Sequence, residues 1–264
     1  MQAIRTYFVL ALSDVRSQMQ YRASFAMQTL GNFLASCVDF LGIAALFSSF
    51  GALQGWSLYE VAVLYGIVNL SFALAEGIGR GFDEFARTIR EGNFDRVLLR
   101  PRGTLFQVLS SRLEISRVGR LLQGAAVLAL GLAGLPEPLG LGQGLLLAAC
   151  VIGGTTLFLG VLFLQAAACF WTLESLEVFN ILTYGGLQAV AYPLDIYQAW
   201  LRNFLLYVVP LGCLNYLPSA VLFGKDLPFP AWSAYLAPLA GAAFLALGAL
   251  AWRAGVRHYR SSGS

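Results

Sequence analysis

Few side chains in this chain of 264 residues carry reactive chemistry, and their placement narrows what they could do. Histidine occurs once, at His258 beside Arg257, and reads as a solvated or headgroup-facing residue. With one imidazole and four scattered cysteines there is no metal-ligand spacing. A histidine-based hydrolase triad would have to rest on His258 alone. Cys37, Cys150, Cys169 and Cys213 lie inside apolar runs, form no C-x-x-C pair, and read as small buried hydrophobes. The phosphate-binding motif G-x-x-x-x-G-K-[ST] needs a lysine. The only one, Lys225, is followed by Asp226, so ATP is not bound that way and no catalytic set is apparent. One acid stands out: Asp39, alone in an apolar run. An intramembrane acid marks a functional site by default, here a proton path, a substrate contact or a subunit contact. The structural alternative is a carboxyl bonded to a neighbouring helix.

The elements that must position these residues follow from composition. The chain is 58% hydrophobic and 12% charged, with mean hydropathy +0.69. Soluble domains carry about 25% charged residues, so this is an integral membrane protein. It is expected to be all-α, a single domain over 1–264 made of several spans of about 20 apolar residues each. Nine arginines (Arg80, Arg87, Arg90, Arg96, Arg100, Arg102, Arg112, Arg117, Arg120) crowd the stretch from Gly79 to Arg120. Each would cost roughly 2.5–3.5 kcal/mol at the centre of a membrane helix. The stretch therefore belongs in water, and its charge puts that water on the cytoplasmic side. The arginines flank spans and are explained by orientation, so no nucleic-acid partner is implied.

Residues 1–22 predict an amphipathic interfacial helix, with Ile4, Phe8, Leu12, Val15 and Met19 on one side and Arg5, Asp14, Arg16 and Gln20 on the other. The segment lacks the pattern of a cleavable signal. Spans are expected at about 23–47, 57–78, 118–135, 144–170, 178–193 and 231–252. Between the last two, residues 195–230 are apolar enough to span, but Pro210 and Pro218 break any single helix there. A full crossing would also place Arg253, Arg257 and Arg260 outside. A re-entrant extracellular hairpin avoids this: with six spans and both termini cytoplasmic, fifteen of the 17 lysines and arginines lie inside, and only Arg202 and Lys225 outside.

Within the arginine-rich segment, 79–117, Phe82, Phe85, Ile89, Phe94, Val97 and Leu98 alternate with Asp83, Glu84, Arg87, Arg90, Glu91, Asp95 and Arg96. Gly92-Asn93 interrupts the pattern and Pro101 ends it. The spacing predicts two short amphipathic helices at the cytoplasmic surface. Their mixed charges suit docking to a soluble protein better than binding to lipid headgroups, the other reading of such a loop.

The run Glu91-Gly92-Asn93-Phe94-Asp95-Arg96-Val97-Leu98-Leu99-Arg100-Pro101 resembles the segment after the second span of type-2 ATP-binding cassette (ABC) exporter permeases, in particular a subgroup with separately encoded ATPase subunits. A second stretch is similar to the extracellular re-entrant hairpin before the last span of that family: Tyr192-Pro193-Leu194-Asp195-Ile196-Tyr197, Trp200-Leu201-Arg202, Val209-Pro210, Asn215-Tyr216-Leu217-Pro218 and Gly224. The resemblance implies a permease subunit that exports a hydrophobic or amphiphilic substrate (drug, lipid or peptide). It implies pairing with a second copy or a sister permease, and two ABC ATPase subunits per complex. This chain would bind no cofactor; ATP and Mg belong to the partner ATPase. A coupling helix between spans 2 and 3 would comprise Phe82, Glu84, Phe85, Arg87, Arg90, Glu91, Phe94, Asp95 and Arg96, and the N-terminal helix would also touch the ATPase. Spans two and five would line the path, nominating Asn69, Asn180, Thr183, Tyr184 and Gln188 beside Asp39. The excess of Arg over Lys, with abundant Ala, Leu and Gly, suggests a GC-rich bacterial gene and hence the bacterial inner membrane. Two other readings compete: a non-transporting docking platform for a cytoplasmic partner, and an ion-driven carrier, for which paired intramembrane charges are missing.

Overall fold

The computed structural model describes residues 18–172, 177–226 and 229–260. Most of the expected interfacial helix 1–22 lies outside the described residues. All regular structure among them is helical, apart from one isolated bridge between Leu53 and Trp56. Helix α1 (Arg22–Phe50) leads through a short turn into α2 (Leu58–Asp83), which runs five residues past the expected span end. Three short helices follow: α3 (Phe85–Arg90), α4 (Phe94–Leu98) and α5 (Thr104–Leu109). Then come α6 (Val118–Ala133) and α7 (Leu141–Thr172).

The central helix is α2. It opens on a capping box: the Ser57 hydroxyl accepts from the Glu60 N–H at 3.3 Å, and the Glu60 carboxylate accepts from the Ser57 N–H at 2.7 Å. Every residue from Val61 to Asn69 is buried, between α6 on one side and α7 on the other. By contrast α1 packs mainly on α6 and leaves Met27, Leu30, Leu34, Val38 and Leu41 exposed, an apolar surface suited to the bilayer. Its attachment is polar: Tyr65 Oη and Gln123 Nε2 both donate to the Ser36 carbonyl, at 2.9 and 3.0 Å.

The last long helix, α13 (Leu239–His258), lies against α7. Gly160 and Gly153 on α7, and Gly248 and Gly241 on α13, are each seven apart, which puts each pair on one helix face. A Cβ added to Gly160 would stand 2.8 Å from the Phe244 carbonyl, and one on Gly248 would stand 2.6 Å from the Gly160 oxygen. Small residues are what allow backbones to approach this closely.

Between α7 and α13 the chain is less regular. Helix α8 (Glu177–Asn180) passes through a π turn, Ile181–Gly185, into α9 (Gly186–Val190). Then α10 (Ala199–Asn203), a second π turn (Phe204–Val208), α11 (Tyr216–Leu222) and α12 (Trp232–Leu236) precede α13 (Leu239–His258). Five helical stretches among the described residues are long and apolar enough to cross a membrane, or six if the bent pair Ala199–Val208 and Leu211–Leu222 counts as one. The expected fifth span at 178–193 is not among the five. Its helical part, Glu177 to Val190, extends about 21 Å at 1.5 Å per residue, and Pro193 follows. Even so, the chain from Thr172 to Asp195 travels the height of the molecule. Trp171 stacks on His258 at the arginine-rich end, while Asp195 bonds Trp56 at the opposite end.

The bent pair turns by 75°. Both of its flanks return to one place, the α1–α2 turn. Asp195 accepts from the Trp56 indole at 3.0 Å, and Lys225 Nζ reaches the Gly55 carbonyl at 2.8 Å and Glu60 at 2.9 Å. Asn215, between them, donates from its side chain to the Val190 carbonyl at 2.5 Å and is fully buried. The break falls at Val209-Pro210, one of the two prolines expected to interrupt a helix here, whereas Pro218 sits within the first turn of α11.

Candidate coupling surface and charged network

The arginine-rich segment is held by aromatic side chains. Phe82, Phe85 and Phe94 are fully buried and meet Phe163 and Phe170 of α7, Trp252 of α13 and Tyr259 just beyond it. Ring centroids within this group lie 4.4 to 6.1 Å apart, mostly edge to face, the geometry aromatic quadrupoles favour. Gly92, at φ 67°, makes the reversal between α3 and α4 that lets Phe85 and Phe94 point at the same cluster. Polar ties complete it. Tyr259 Oη donates to Asp95 at 3.0 Å, Trp252 Nε1 to the Thr104 hydroxyl at 3.1 Å, and Gln107 Nε2 to the Val97 and Arg102 carbonyls at 2.9 and 2.7 Å.

The nine residues nominated for coupling therefore divide. Phe82, Phe85 and Phe94 face inward and anchor the segment, so a partner does not reach them. Glu84 and Asp95 are partly buried and engaged within the chain, Glu84 with Arg80 and Arg112. Arg87, Arg90, Glu91 and Arg96 face outward. Arg87 Nε donates to Glu91 at 2.6 Å and Asn93 donates to the other Glu91 oxygen at 2.9 Å. The Arg87 hydrogen bond, first among the causes, holds the Glu91 carboxyl below its ordinary value.

The expectation that the arginines sit in water needs correction for three of them. Arg80, Arg117 and Arg120 are largely buried where the end of α2 meets the start of α6, with side chains only 21, 18 and 16% exposed. Arg80 is taken up by Asp83 at 2.7 Å, Glu84 at 2.9 Å and Glu114 at 3.4 Å. Arg117 Nη2 lies 2.7 Å from Glu76, whose side chain is 3% exposed, and Arg120 Nη1 lies 3.6 Å from the same carboxylate. A buried charge of this kind persists only when paired. From sequence alone Glu76 was not connected to the arginines forty positions on. The signal was present: Glu76 and Arg80 are one turn apart on α2, and Arg117, which caps α6, and Arg120 in its first turn are three apart.

The residues nominated for the path are partly gathered. Ile181, Tyr184, Gly185 and Gln188 form one exposed stripe around the π turn. Tyr184 Oη donates to Glu76 at 2.9 Å, joining that stripe to the charged network. Asp39 is exposed on α1, close enough to Tyr65 and Tyr192 to interact electrostatically. Asn180 Nδ2 donates to Glu177 at 2.8 Å. Thr183 and Asn69 are turned inward: Thr183 bonds back to Phe179 at 2.9 Å, and Asn69 bonds back to the Tyr65 carbonyl at 3.0 Å.

Long apolar helices, a bent segment tied to one end and a compact charged platform at the other define a multi-pass helical membrane protein. A protein-family model described as "ABC-2 family transporter protein" matches residues 33–263, and the chain belongs to that family. Membrane domains of the family are in general non-catalytic transport subunits that work with an ABC ATPase. Comparison with curated proteins and with solved structures gave no match.

Proposed function

We propose that the chain is the permease subunit of an ATP-driven exporter, moving a hydrophobic or amphiphilic substrate (a drug, lipid or peptide) out of the cytoplasm. ATP and Mg are handled by a separately encoded ATPase, two copies per complex, and a second permease copy or a sister permease completes the assembly. The chain crosses the bacterial inner membrane six times, the short stretch Glu177–Val190 forming part of the fifth crossing. Both termini and the segment 79–117 are cytoplasmic, and 195–230 re-enters from outside.

The observation that carries this reading is the construction of the arginine-rich segment. Arg87, Arg90, Glu91 and Arg96 form a small exposed platform of both charge signs, and the aromatic cluster beneath fastens it to α2, α7 and α13. A push on such a platform reaches three membrane helices at once, as coupling to a soluble motor requires. ATP binding by the partner supplies the differential free energy, and the helices supply the two states.

The test is purification of the tagged protein from its native membrane in a mild detergent, with ATPase activity measured on the eluate. A co-purifying ATPase is expected, lost when Arg87, Arg90, Glu91 and Arg96 are replaced together by Ala. Absence of any ATPase with the intact protein would favour a platform that docks a cytoplasmic partner without transport.

A further inference from the structure

Two arginines face one glutamate at the inner end of the stripe that carries Tyr184. Arg117 Nη2 at 2.7 Å and Tyr184 Oη at 2.9 Å both engage Glu76 Oε1. The other oxygen, Oε2, is left 3.6 Å from Arg120 Nη1, too far for a hydrogen bond. Among the described residues Arg120 Nε and Nη1 and Arg117 Nε are buried without a hydrogen-bond acceptor, and Glu76 Oε2 without a donor, while Arg120 lies 5.3 Å over the Phe72 ring. The neighbouring carboxylates of Asp83, Glu84 and Glu114 are engaged with Arg80. A guanidinium whose buried Nε–H is unanswered among the described residues, and whose Nη1 has Glu76 Oε2 no nearer than 3.6 Å, lacks an acceptor. Tyr184 is 40% exposed, so the approach to these donors starts from the outward stripe of Ile181, Tyr184, Gly185 and Gln188.

We infer that Arg120, backed by Arg117, binds the anionic head (phosphate, sulfate or carboxylate) of an amphiphile whose tail lies along that stripe. Tyr184 is a positioning residue: by holding Glu76 Oε1 together with Arg117, it keeps the carboxylate from closing on Arg120. Phe72 and Tyr184, ring centroids 5.3 Å apart, supply apolar wall beside the head group. The site deepens the export reading by giving the cargo a charge, although a resident anionic lipid would offer the same chemistry.

The experiment is equilibrium titration of dodecyl phosphate and dodecyltrimethylammonium into the full-length protein in a non-ionic detergent. Wild type is expected to prefer the phosphate by at least about tenfold, the worth of one charged hydrogen-bonded contact. Arg120→Gln should abolish that preference and Arg120→Lys retain part of it. Tyr184→Phe should weaken phosphate binding by freeing Glu76 to turn toward Arg120. Glu76→Gln should tighten it by removing the competing anion, a gain that a merely structural pair would not give. Equal affinity for the two probes, or a preference unmoved in Arg120→Gln, overturns the proposal. A second arm reconstitutes the protein with its ATPase: ATP-driven movement of dodecyl phosphate marks cargo, and binding without movement marks a resident lipid. Binding needs no ATPase, so loss of the partner would sink the export reading and leave this site standing.

Discussion

The Trp56 indole donates to Asp195 Oδ2 at 3.0 Å across 139 positions, and the Tyr216 hydroxyl donates to the other oxygen at 2.6 Å. One carboxylate thus joins the α1–α2 turn, the approach to the bent segment and its returning helix. With Lys225 bound to Glu60, it fixes both flanks of 195–225 to one turn. Asp195→Ala would leave the buried Trp56 N–H and Tyr216 O–H without acceptors. Each orphaned group costs about 1–3 kcal/mol, so the variant is expected to melt well below wild type in detergent. Asp195→Asn, which keeps one acceptor, should fall between them in the same thermal scan.

The aromatic anchor makes an opposite pair of expectations for neighbouring residues. Phe94→Ala removes a fully buried ring from among Phe85, Phe170, Trp252 and Tyr259, and should cost about 3–5 kcal/mol locally. Limited proteolysis should then cut within the segment 91–103 at protease levels that spare wild type. Arg90→Ala, three positions before Glu91-Gly92-Asn93 ends, changes an outward residue and should leave the digestion pattern unchanged while weakening ATPase recovery.

Charge reversal at the platform separates docking from folding. Arg87→Glu with Arg90→Glu breaks the Arg87–Glu91 pair and inverts the surface offered to a partner. An exposed pair contributes little to stability, so the melting temperature should hold while co-purified ATPase drops by an order of magnitude or more. A matching fall in melting temperature would assign these arginines to the fold instead.

Acidification acts on the same surface with a defined sign. The folded Glu91 carboxyl titrates below its ordinary value because Arg87 donates to it. Its contribution is therefore fully present above the unfolded carboxylate range and is lost as pH falls through the lower folded value. Platform-dependent ATPase association should be flat from neutral pH down to about 5 and decline only below the ordinary range near 4.3. Glu91→Gln should remove that decline.

Close approach of α7 and α13 gives a fifth test. Gly160→Leu would drive a side chain into the Phe244 backbone, and overpacking of this kind costs about 1–3 kcal/mol or more. The expected outcome is loss of monodisperse protein on size exclusion. Gly144→Leu on the same helix, where an added Cβ meets nothing within 4 Å, should behave as wild type.

How much of this could be read in the sequence depended on whether the signal was local. Pro210 foretold the bend, Gly92-Asn93 the reversal between α3 and α4, and the apolar runs the long helices, while Pro218 is accommodated in the first turn of α11. The inward direction of Phe82, Phe85 and Phe94 was not legible, because an amphipathic pattern shows that a helix has two faces and not which one meets α7 and α13. Nor was the Tyr184–Glu76 bond, which joins residues 108 apart through helix register that hydropathy does not encode. The fifth span was read over 178–193, and its helical part runs from Glu177 to Val190 with a π turn at Ile181–Gly185 that hydropathy does not signal.

That π turn has a mechanical meaning. A π turn holds one more residue than the α-helical turn it replaces, and such a kink can be absorbed or displaced along a helix without unfolding it. If the extra residue moved, the stripe bearing Tyr184 and Gln188 would rotate by about 100°, the arc of one residue, and Tyr184 would swing away from Glu76. The stretch from Glu177 to Val190 thus resembles a screw with one slack thread, set between a stiff aromatic knot at one end and the Asp195 tether at the other.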